Sequence, residues 1–329
     1  MDKMIARFPD QLREAIQIGE KLELQQHPNE IHQIYVAGMG GSGIGGDFVA
    51  EWVLDRCPVP VFVSKGYRLP RWVGPSSTAI VSSYSGNTEE TLSVYEQLKA
   101  REVPVIGLTS GGALIQNIKK DGFDALQVPG NWASPRACLG YSIVGQLYIL
   151  HRLGLVDDFF KKQILDAADL LENQMDTIRE EARQIASRLK GKFIMIYAIE
   201  GMEPVALRFR QQINENAKTR AAYYVIPEMN HNELVGWKHQ DPHLVSVHFL
   251  SDYDSERNRI RQAITQEIME EKASDVLQLR AKGSSKIEQS LYLVYLGDWI
   301  SWYLAVERGV DAIEVDVIDY LKGALAKRN

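Results

Sequence analysis

Apolar and polar residues alternate along the first half of the chain in blocks that predict helices and strands in turn. Apolar residues at helical spacing predict an amphipathic helix over residues 10–26. Short apolar runs then predict strands at Ile34–Ala37, Val59–Val63, Ala79–Ser83 and Val103–Leu108. Helical periodicity follows the first, third and fourth of these runs. Strands and helices that alternate on short loops imply a mostly parallel sheet with helices on both faces.

The same plan restarts after a charged segment. Strands are predicted at residues 193–197, 222–226 and 244–250, with helices at 204–218, 254–272, 287–308 and 317–327. We therefore predict an α/β fold with two domains. Residues 1–155 form the first domain, 156–190 form connecting helices, and 191–329 form the second domain and the closing helices.

Composition and charge narrow the possible partners. A chain of 329 residues is long enough for two domains with separate cores. A net charge of −6 argues against a general nucleic-acid or membrane surface, although a small anionic ligand stays possible. Cys57 and Cys138 are too few and too far apart for a disulfide framework. No window approaches the apolar length of a membrane span. The expectation is a cytoplasmic protein that binds neither nucleic acid nor membrane.

Val81–Leu92 joins a predicted strand to a predicted helix through small hydroxyl residues and a turn at Gly86. Thr88, followed by acidic residues, indicates a helix start. Backbone N–H groups at a helix start lack internal partners and suit an anion. We predict that the hydroxyls of Ser83, Ser85 and Thr88 join them to bind a phosphate. The alternative is an ordinary strand–turn–helix corner with capping hydroxyls.

Gly38–Gly46 has the glycine spacing of a dinucleotide-binding loop. That fingerprint also requires an acid at the end of the next strand, and Val63–Gly66 contains none. Lys65 in this segment would favour a phosphate, so an NADP site stays open, as does a tight turn that only glycine permits. A P-loop is excluded, because no Gly-Lys-Ser/Thr ends the loop. We prefer a third interpretation, in which the glycines let the backbone approach a small sugar ring and Ser42 adds a hydroxyl.

The second half supplies candidates for proton transfer. Glu215 lies near the end of a predicted helix, and His231 lies in a polar segment after a predicted strand. With Arg136 they form the set that moves a proton next to a carbonyl: a base, an imidazole and a cation. Glu215 could equally be a solvated helix carboxylate. A metal site is less favoured, because His231, His239 and His243 lack short helical pairing. A serine hydrolase is less favoured still, because no Gly-x-Ser-x-Gly elbow follows a strand.

The segments that carry these residues resemble a known family. Ser83–Thr91 is similar to the phosphosugar-binding signature of sugar isomerase (SIS) domains. The remaining motifs resemble the bifunctional phosphoglucose/phosphomannose isomerases, in the same order along the chain: Gly38–Gly46, Pro135-Arg136, Glu215–Lys218, Asn230–Glu233 and Ile318–Lys322. The resemblance spans nearly the whole chain and implies two SIS-type domains, each with a mostly parallel sheet flanked by helices on both faces.

The resemblance implies an activity and a substrate. The expected protein is an aldose–ketose isomerase that interconverts glucose 6-phosphate and mannose 6-phosphate with fructose 6-phosphate. Base-catalysed proton transfer would pass through a cis-enediolate, without metal or cofactor. Ser83, Ser85 and Thr88 would hold the phosphate, and Gly41 and Ser42 would line the sugar site.

The resemblance also assigns the catalytic roles. Glu215 would carry the proton between C2 and C1, and Arg136 would stabilise the enediolate. His231 would assist ring opening, and Lys322 matches a late lysine near the site. In this family the corresponding histidine comes from the partner subunit, so a homodimer is implied.

One segment departs from the family pattern, and two rival functions stay open. Members often carry Thr-Pro just ahead of the final helix, where this chain has Ala312–Val315. If this segment, which includes Ile313, touches C1–C2 of the sugar, the departure bears on mannose 6-phosphate more than on glucose 6-phosphate. The rivals are a non-catalytic phosphosugar-binding regulator and an isomerase of another phosphosugar.

Overall fold

In a computed structural model that describes residues 1–25 and 30–328, strands and helices alternate as the sequence pattern predicts. The strands are β1 Gln33–Gly38, β2 Val61–Ser64, β3 Ser77–Ser83, β4 Val105–Thr109, β5 Asp124–Gln127, β6 Phe193–Ile199, β7 Ala221–Ile226, β8 Asp241–Leu250 and β9 Ala273–Arg280. The helices are α1 Asp2–Ala6, α2 Phe8–Glu20, α3 Gly40–Trp52, α4 Glu89–Ala100, α5 Gly112–Asp121, α6 Leu139–Arg152, α7 Phe159–Asn173, α8 Met175–Leu189, α9 Glu203–Ala217, α10 Glu256–Glu270, α11 Lys286–Arg308 and α12 Asp316–Leu325.

The contacts divide the chain into two units. The first unit comprises Ala6–Asn173 and Gly283–Leu291. The second unit comprises Met1–Ile5, Gln174–Lys282 and the chain from Tyr292 onward. The division between α7 and α8 lies inside the segment predicted to connect the domains, while the predicted domain boundaries stay a prediction. No helix in the described part of the chain is long and apolar enough to cross a membrane.

The first unit contains a five-stranded parallel sheet in the order β2-β1-β3-β4-β5. The order reverses between β1 and β3, because the chain runs outward in one direction from β1 and in the other from β3. Right-handed crossovers therefore place α3 on one face of the sheet and α4 and α5 on the other. A crevice forms at such a reversal beyond the carboxyl ends of the strands, where ligands bind in open α/β sheets.

The second unit repeats this plan with a four-stranded parallel sheet in the order β7-β6-β8-β9. The crossover helices are α9, between β6 and β7, and α10, between β8 and β9. The same handedness rule places them on opposite faces. The predicted α/β fold, with a parallel sheet and flanking helices in each half, is confirmed.

Two strands were not predicted, and both lie at a sheet edge. β5 is only four residues long, and β9 alternates buried residues with exposed ones. Neither contains the continuous apolar run that identified the central strands, because a short or half-exposed edge strand buries little side-chain surface. Helix α3 begins at Gly40, so most of the glycine segment Gly38–Gly46 is helical.

Two buried polar contacts fasten α9 to α11 in the second unit. The Arg208 guanidinium donates to the Asp298 carboxylate at 2.8 Å, and both side chains are buried. In the last turn of α9, the Asn216 amide donates to the Ser301 hydroxyl at 2.8 Å. These contacts fix the helix that carries Glu215.

We expect Asp298→Ala to lower the free energy of unfolding by about 3–5 kcal/mol, because it leaves the Arg208 charge buried without a counter-ion. Urea denaturation would measure the change. The paired replacement Arg208→Met with Asp298→Leu is the control, and it should recover most of the loss, since apolar side chains can replace a buried ion pair. Equal midpoints for Asp298→Ala and the unaltered protein would contradict the assignment.

Candidate functional site

The turn Ser83–Thr88, called the hydroxyl turn below, connects β3 to α4 at the order reversal of the first sheet. Gly86 adopts a φ of 68°, a left-handed conformation that favours glycine. The buried Ser83 hydroxyl accepts from Gly86 N–H at 3.1 Å and shares a hydrogen bond with the Thr88 hydroxyl at 2.9 Å. Ser85 is exposed, and its hydroxyl accepts from Asn87 N–H at 3.3 Å. The three predicted phosphate ligands therefore lie on one turn.

Thr88 is the N-cap residue of α4, as predicted, but its side chain makes no capping hydrogen bond. Its hydroxyl bonds to Ser83 instead. The first N–H groups of α4 are therefore not satisfied by their own cap side chain. Such groups carry a partial positive charge that an anion can accept.

Neighbouring segments hold the hydroxyl turn in place. The Ser110 hydroxyl and N–H both donate to the Tyr84 carbonyl, at 2.6 and 3.0 Å. Ala113 N–H donates to the Asn87 side chain at 2.9 Å. The turn after β4 thus fixes the turn after β3, so its groups are oriented before any ligand binds.

The start of α3 lies beside the hydroxyl turn. The Ser42 hydroxyl accepts from Tyr84 N–H at 3.2 Å. A Cβ added at Gly41 would meet the Arg136 Cα at 3.7 Å, so the backbones are close there. Arg136 is buried in a short 3-10 helix, Pro135–Ala137. The structure therefore brings together Gly41, Ser42, Arg136 and the hydroxyl turn.

The glycine segment has a second purpose, which is close packing. A Cβ at Gly45 would approach the Ser142 hydroxyl of α6 to 2.2 Å, so any larger residue there would push α3 away from α6. Lys65, the residue for which an NADP site stayed open, forms an ion pair with Asp47 of α3. Both features bear on how α3 is held, rather than on a dinucleotide.

Glu215 lies in the last turn of α9 and lines a cavity of about 660 Å³ in the second unit. Phe193 and Ala221, the first residues of β6 and β7, line the same cavity, so it lies at the amino ends of these strands. Val317 and Ile318 of α12 contribute apolar surface. This volume lies in the range of small-molecule sites.

Lys218 connects the end of α9 to the segment before α12. Its ammonium group donates to the carbonyl oxygens of Glu215, Asp311 and Glu314, each at 2.7 Å. These bonds use all three donors of an ammonium group. Lys218 adopts a left-handed conformation with a φ of 51°, which ends the helix and turns the side chain toward these acceptors. The sequence placed Lys218 in a motif but gave it no role.

His231 lies in the segment Pro227–Gln240, called the His231 loop, which follows β7. The side chain of His231 is exposed. The Glu233 carboxylate of the loop accepts two hydrogen bonds. The buried Trp237 of the loop donates one at 2.9 Å, and Tyr197 of β6 donates the other at 2.8 Å. Burial raises the pKa of Glu233, and these two hydrogen bonds oppose the rise. Glu233 thus anchors the loop while His231 stays accessible.

The His231 loop packs on the face of the second sheet opposite α9. Met229 and Trp237 pack against Met195, Tyr197 and Ile199, which are alternate residues of β6 and so share one face. Met269 of α10 joins this cluster, and Asn230 donates to Thr265 of α10 at 2.9 Å. The sheet therefore separates His231 from α9 and from Glu215 in the same chain.

The remaining candidate, Lys322, is exposed on α12, a helix with no buried residue. It lies one turn beyond the cavity residue Ile318 on the same face of the helix. Ahead of α12, Glu314 and Val315 line the Glu215 cavity, whereas Ile313 is 40% exposed. Within residues 1–25 and 30–328, no cluster of His, Cys, Asp and Glu is arranged to hold a metal ion.

We expect Lys218→Asn to loosen residues 311–325, because asparagine tolerates the left-handed backbone but cannot reach the carbonyl oxygens. Amide hydrogen exchange there should accelerate by about tenfold, a moderate loss for partly exposed charged hydrogen bonds. Lys192→Asn is the matched control, since Lys192 binds one carbonyl, that of Pro242. Unchanged exchange in Lys218→Asn would show that the ammonium group does not hold this segment.

Two family models match the chain. The model described as "SIS domain" matches residues 29–118, which include the hydroxyl turn. The model described as "Bacterial phospho-glucose isomerase C-terminal SIS domain" matches residues 178–325, which include Glu215, His231 and Lys322. A solved tagatose-6-phosphate ketose/aldose isomerase from Escherichia coli has a TM-score of 0.74, with 17% identity over 95% of this chain and 94% of that one. At that identity the likeness concerns the fold.

Similar sequences identify the family. A protein of Caldicellulosiruptor bescii named bifunctional phosphoglucose/phosphomannose isomerase is 37% identical over 99% of both chains. A protein of Aquifex aeolicus with the same name is 35% identical over 89% of this chain and 90% of its own. This identity over nearly the full length agrees with the two domain models that match the chain. The chain belongs to the bifunctional phosphoglucose/phosphomannose isomerase family.

Proposed function

We propose that this protein is an aldose–ketose isomerase that interconverts glucose 6-phosphate and mannose 6-phosphate with fructose 6-phosphate. Two relatives that align with 99% and 89% of the chain carry the name of this activity. The structural observation that carries the proposal is the hydroxyl turn, because it groups three hydroxyls with the start of α4 at the order reversal of the sheet.

The phosphate is proposed to bind at the hydroxyl turn. Ser83, Ser85 and Thr88 provide hydroxyl donors. The first N–H groups of α4 lie at the N-terminal end of the helix, next to Thr88. The ligand's charge is met by hydrogen bonds and the helix dipole, so this site requires neither a metal ion nor a lysine. Gly41 and Ser42 are proposed to border the sugar, since Ser42 is hydrogen-bonded to the turn.

Glu215 is proposed to move the proton. In the aldose-to-ketose direction its carboxylate removes the proton from C2, the C–H electron pair forms the C1–C2 double bond of the enediolate, and the C1 carbonyl electron pair moves to O1. Returning that proton to C1, while the O2 hydroxyl proton passes to O1 and C2 becomes the carbonyl carbon, yields the ketose. Arg136 and Lys322 are proposed to stabilise the negative charge that develops on oxygen, as cations positioned before the reaction do most effectively. No cofactor enters the balance, because aldose and ketose are isomers.

His231 is proposed to assist ring opening in the site of a second subunit. The supporting observation is that the sheet of the second unit lies between His231 and α9, which carries Glu215. If both residues serve one reaction, two copies of the chain must supply them. A homodimer satisfies this requirement twice by symmetry.

The compartment and the domain boundaries are also part of the proposal. Cys57 and Cys138 form no disulfide in the described part of the chain, which suits the reducing cytoplasm. The first domain is proposed to extend over 1–155, and the second over 191–329, with the connecting helices between them.

We expect Glu215→Gln to abolish isomerisation while phosphosugar binding persists, because the amide keeps the shape but cannot accept the C2 proton. A coupled assay from fructose 6-phosphate, without added metal, should read glucose 6-phosphate and mannose 6-phosphate separately. Calorimetry would measure binding. Glu228→Gln is the matched control, since Glu228 is exposed and has no proposed role. Turnover that survives in Glu215→Gln would exclude Glu215 as the base; binding without turnover in the unaltered protein would favour a regulator.

We expect mixed dimers to reveal which chain supplies His231. Glu215→Gln and His231→Ala should each be nearly inactive alone, but a mixture after subunit exchange should regain roughly a quarter of the original activity, because half of the dimers contain one complete site. His239→Ala, another exposed histidine of the loop, serves as the active control. No recovery after verified exchange would place both residues in the same subunit's site.

A further inference from the structure

Helix α10 has its polarity reversed relative to an ordinary surface helix. The side that faces its own unit buries polar residues: Asn258, Gln262, Thr265 and Gln266. Three isoleucines point outward, with Ile260, Ile264 and Ile268 exposed by 44%, 51% and 37%. A helix normally buries its apolar stripe. These isoleucines are spaced four residues apart and so form a continuous outer stripe.

Hydrogen bonds fix this orientation. The Gln262 amide donates to the Phe249 carbonyl of β8 at 2.9 Å, and the Gln278 amide of β9 donates to Gln266 at 2.6 Å. The Asn230 amide donates to Thr265 at 2.9 Å. Rotating α10 to bury the isoleucines would break these bonds and leave buried polar groups without partners, which is costly. The apolar stripe is therefore held outward by the fold of the chain itself.

The charges beside the isoleucines are arranged against the helix's own dipole. Arg257 and Arg261 lie toward the N-terminus of α10, and Glu267 and Glu271 lie at its C-terminal end. An isolated helix favours the opposite distribution. Within the described chain, neither Arg257, Arg261 nor Glu267 forms an ion pair, and Glu271 pairs with the adjacent Lys272 at 3.3 Å. The charges of Arg257, Arg261 and Glu267 are therefore available to a partner.

The outer face of α10 is symmetric about Ile264. Ile260 and Ile268 lie four residues on either side, Arg261 and Glu267 lie three, and Arg257 and Glu271 lie seven. At 3.6 residues per turn all of these positions share one face. A second copy rotated by a two-fold axis at Ile264 would place isoleucine on isoleucine and every arginine opposite a glutamate.

We propose that α10 pairs antiparallel with α10 of a second copy of this chain, with the two-fold axis at Ile264. Such an interface is isologous, since the same surface serves both copies. Its centre is apolar and its ends are complementary in charge, an arrangement that also selects the antiparallel direction. In a parallel pair the arginines would face each other.

This interface has a consequence that rests on the proposed function. The His231 loop is bonded to α10 through Asn230 and Thr265, on the face of the sheet away from α9. Pairing through α10 therefore brings each His231 loop next to the other copy. The α10 pair is the surface that would allow one subunit to supply His231 to its partner.

Charge reversal tests the pairing without reference to activity. Arg261→Glu and Glu267→Arg should each raise the dimer dissociation constant by about tenfold, because each places like charges opposite one another at both symmetry-related contacts. The double variant should restore it. Glu270→Arg, off the outer face, is the control. Sedimentation velocity would measure the constants; a dimer unaffected by both single changes, or no restoration in the double variant, would overturn the proposal.

A second experiment uses a folded, nearly unaltered dimer. Ile264→Cys should be joined to its symmetry mate by a short bismaleimide, because the axis passes at this position. The unaltered protein controls for Cys57, and Leu54→Cys, another exposed apolar position, controls for random collision. Cross-linking of Ile264→Cys no faster than that of Leu54→Cys would overturn the proposal. An inactive protein that still cross-links at 264 would instead count against the proposed isomerase function alone.

Discussion

The sheet of the second unit is the constraint on which the rest of the proposed chemistry depends. It separates α9, which ends beside the Glu215 cavity, from the layer of α10 and the His231 loop. A parallel sheet cannot be crossed by side chains, so its two faces serve different neighbours. The face with Glu215 and the face with His231 thus lead to different sites unless the protein associates with itself. The exposed apolar stripe of α10 provides a physical reason for such association.

Buried polar contacts determine where the reactive groups lie. The Arg208–Asp298 pair and the Asn216–Ser301 bond fix the helix of Glu215, while Lys218 holds the segment ahead of α12. In the first unit, the turn after β4 fixes the hydroxyl turn in the same way. Each of these groups uses its hydrogen-bond donors within the fold. Because the framework is already satisfied, the candidate ligand-binding groups are oriented without having to be ordered by the ligand.

The sequence predicted the central strands because β1, β3 and β4 are buried on both faces and therefore read as apolar runs. β5 and β9 were not predicted, because β5 has only four residues and β9 carries polar, partly exposed residues between its apolar ones, so neither contains such a run. Thr88 was predicted at the start of α4, but only the structure shows its hydroxyl bonded to Ser83 instead of capping the helix. The roles of individual site residues stay predictions, since motif order names them but does not measure their chemistry.

Helix α10 shows why apolar periodicity in a sequence does not state which surface will be buried within one chain. Isoleucines every four residues predict a stripe that avoids water. If only one chain is considered, the stripe would be expected to face the chain's own sheet. Gln262 and Gln266 of α10 find partners on β8 and β9, so the hydrogen bonds and the apolar stripe oppose each other if the chain is alone. A second copy removes the conflict, because the stripe is then covered without breaking any of those bonds. The sequence pattern of α10 is therefore consistent with the assembly rather than with the isolated subunit.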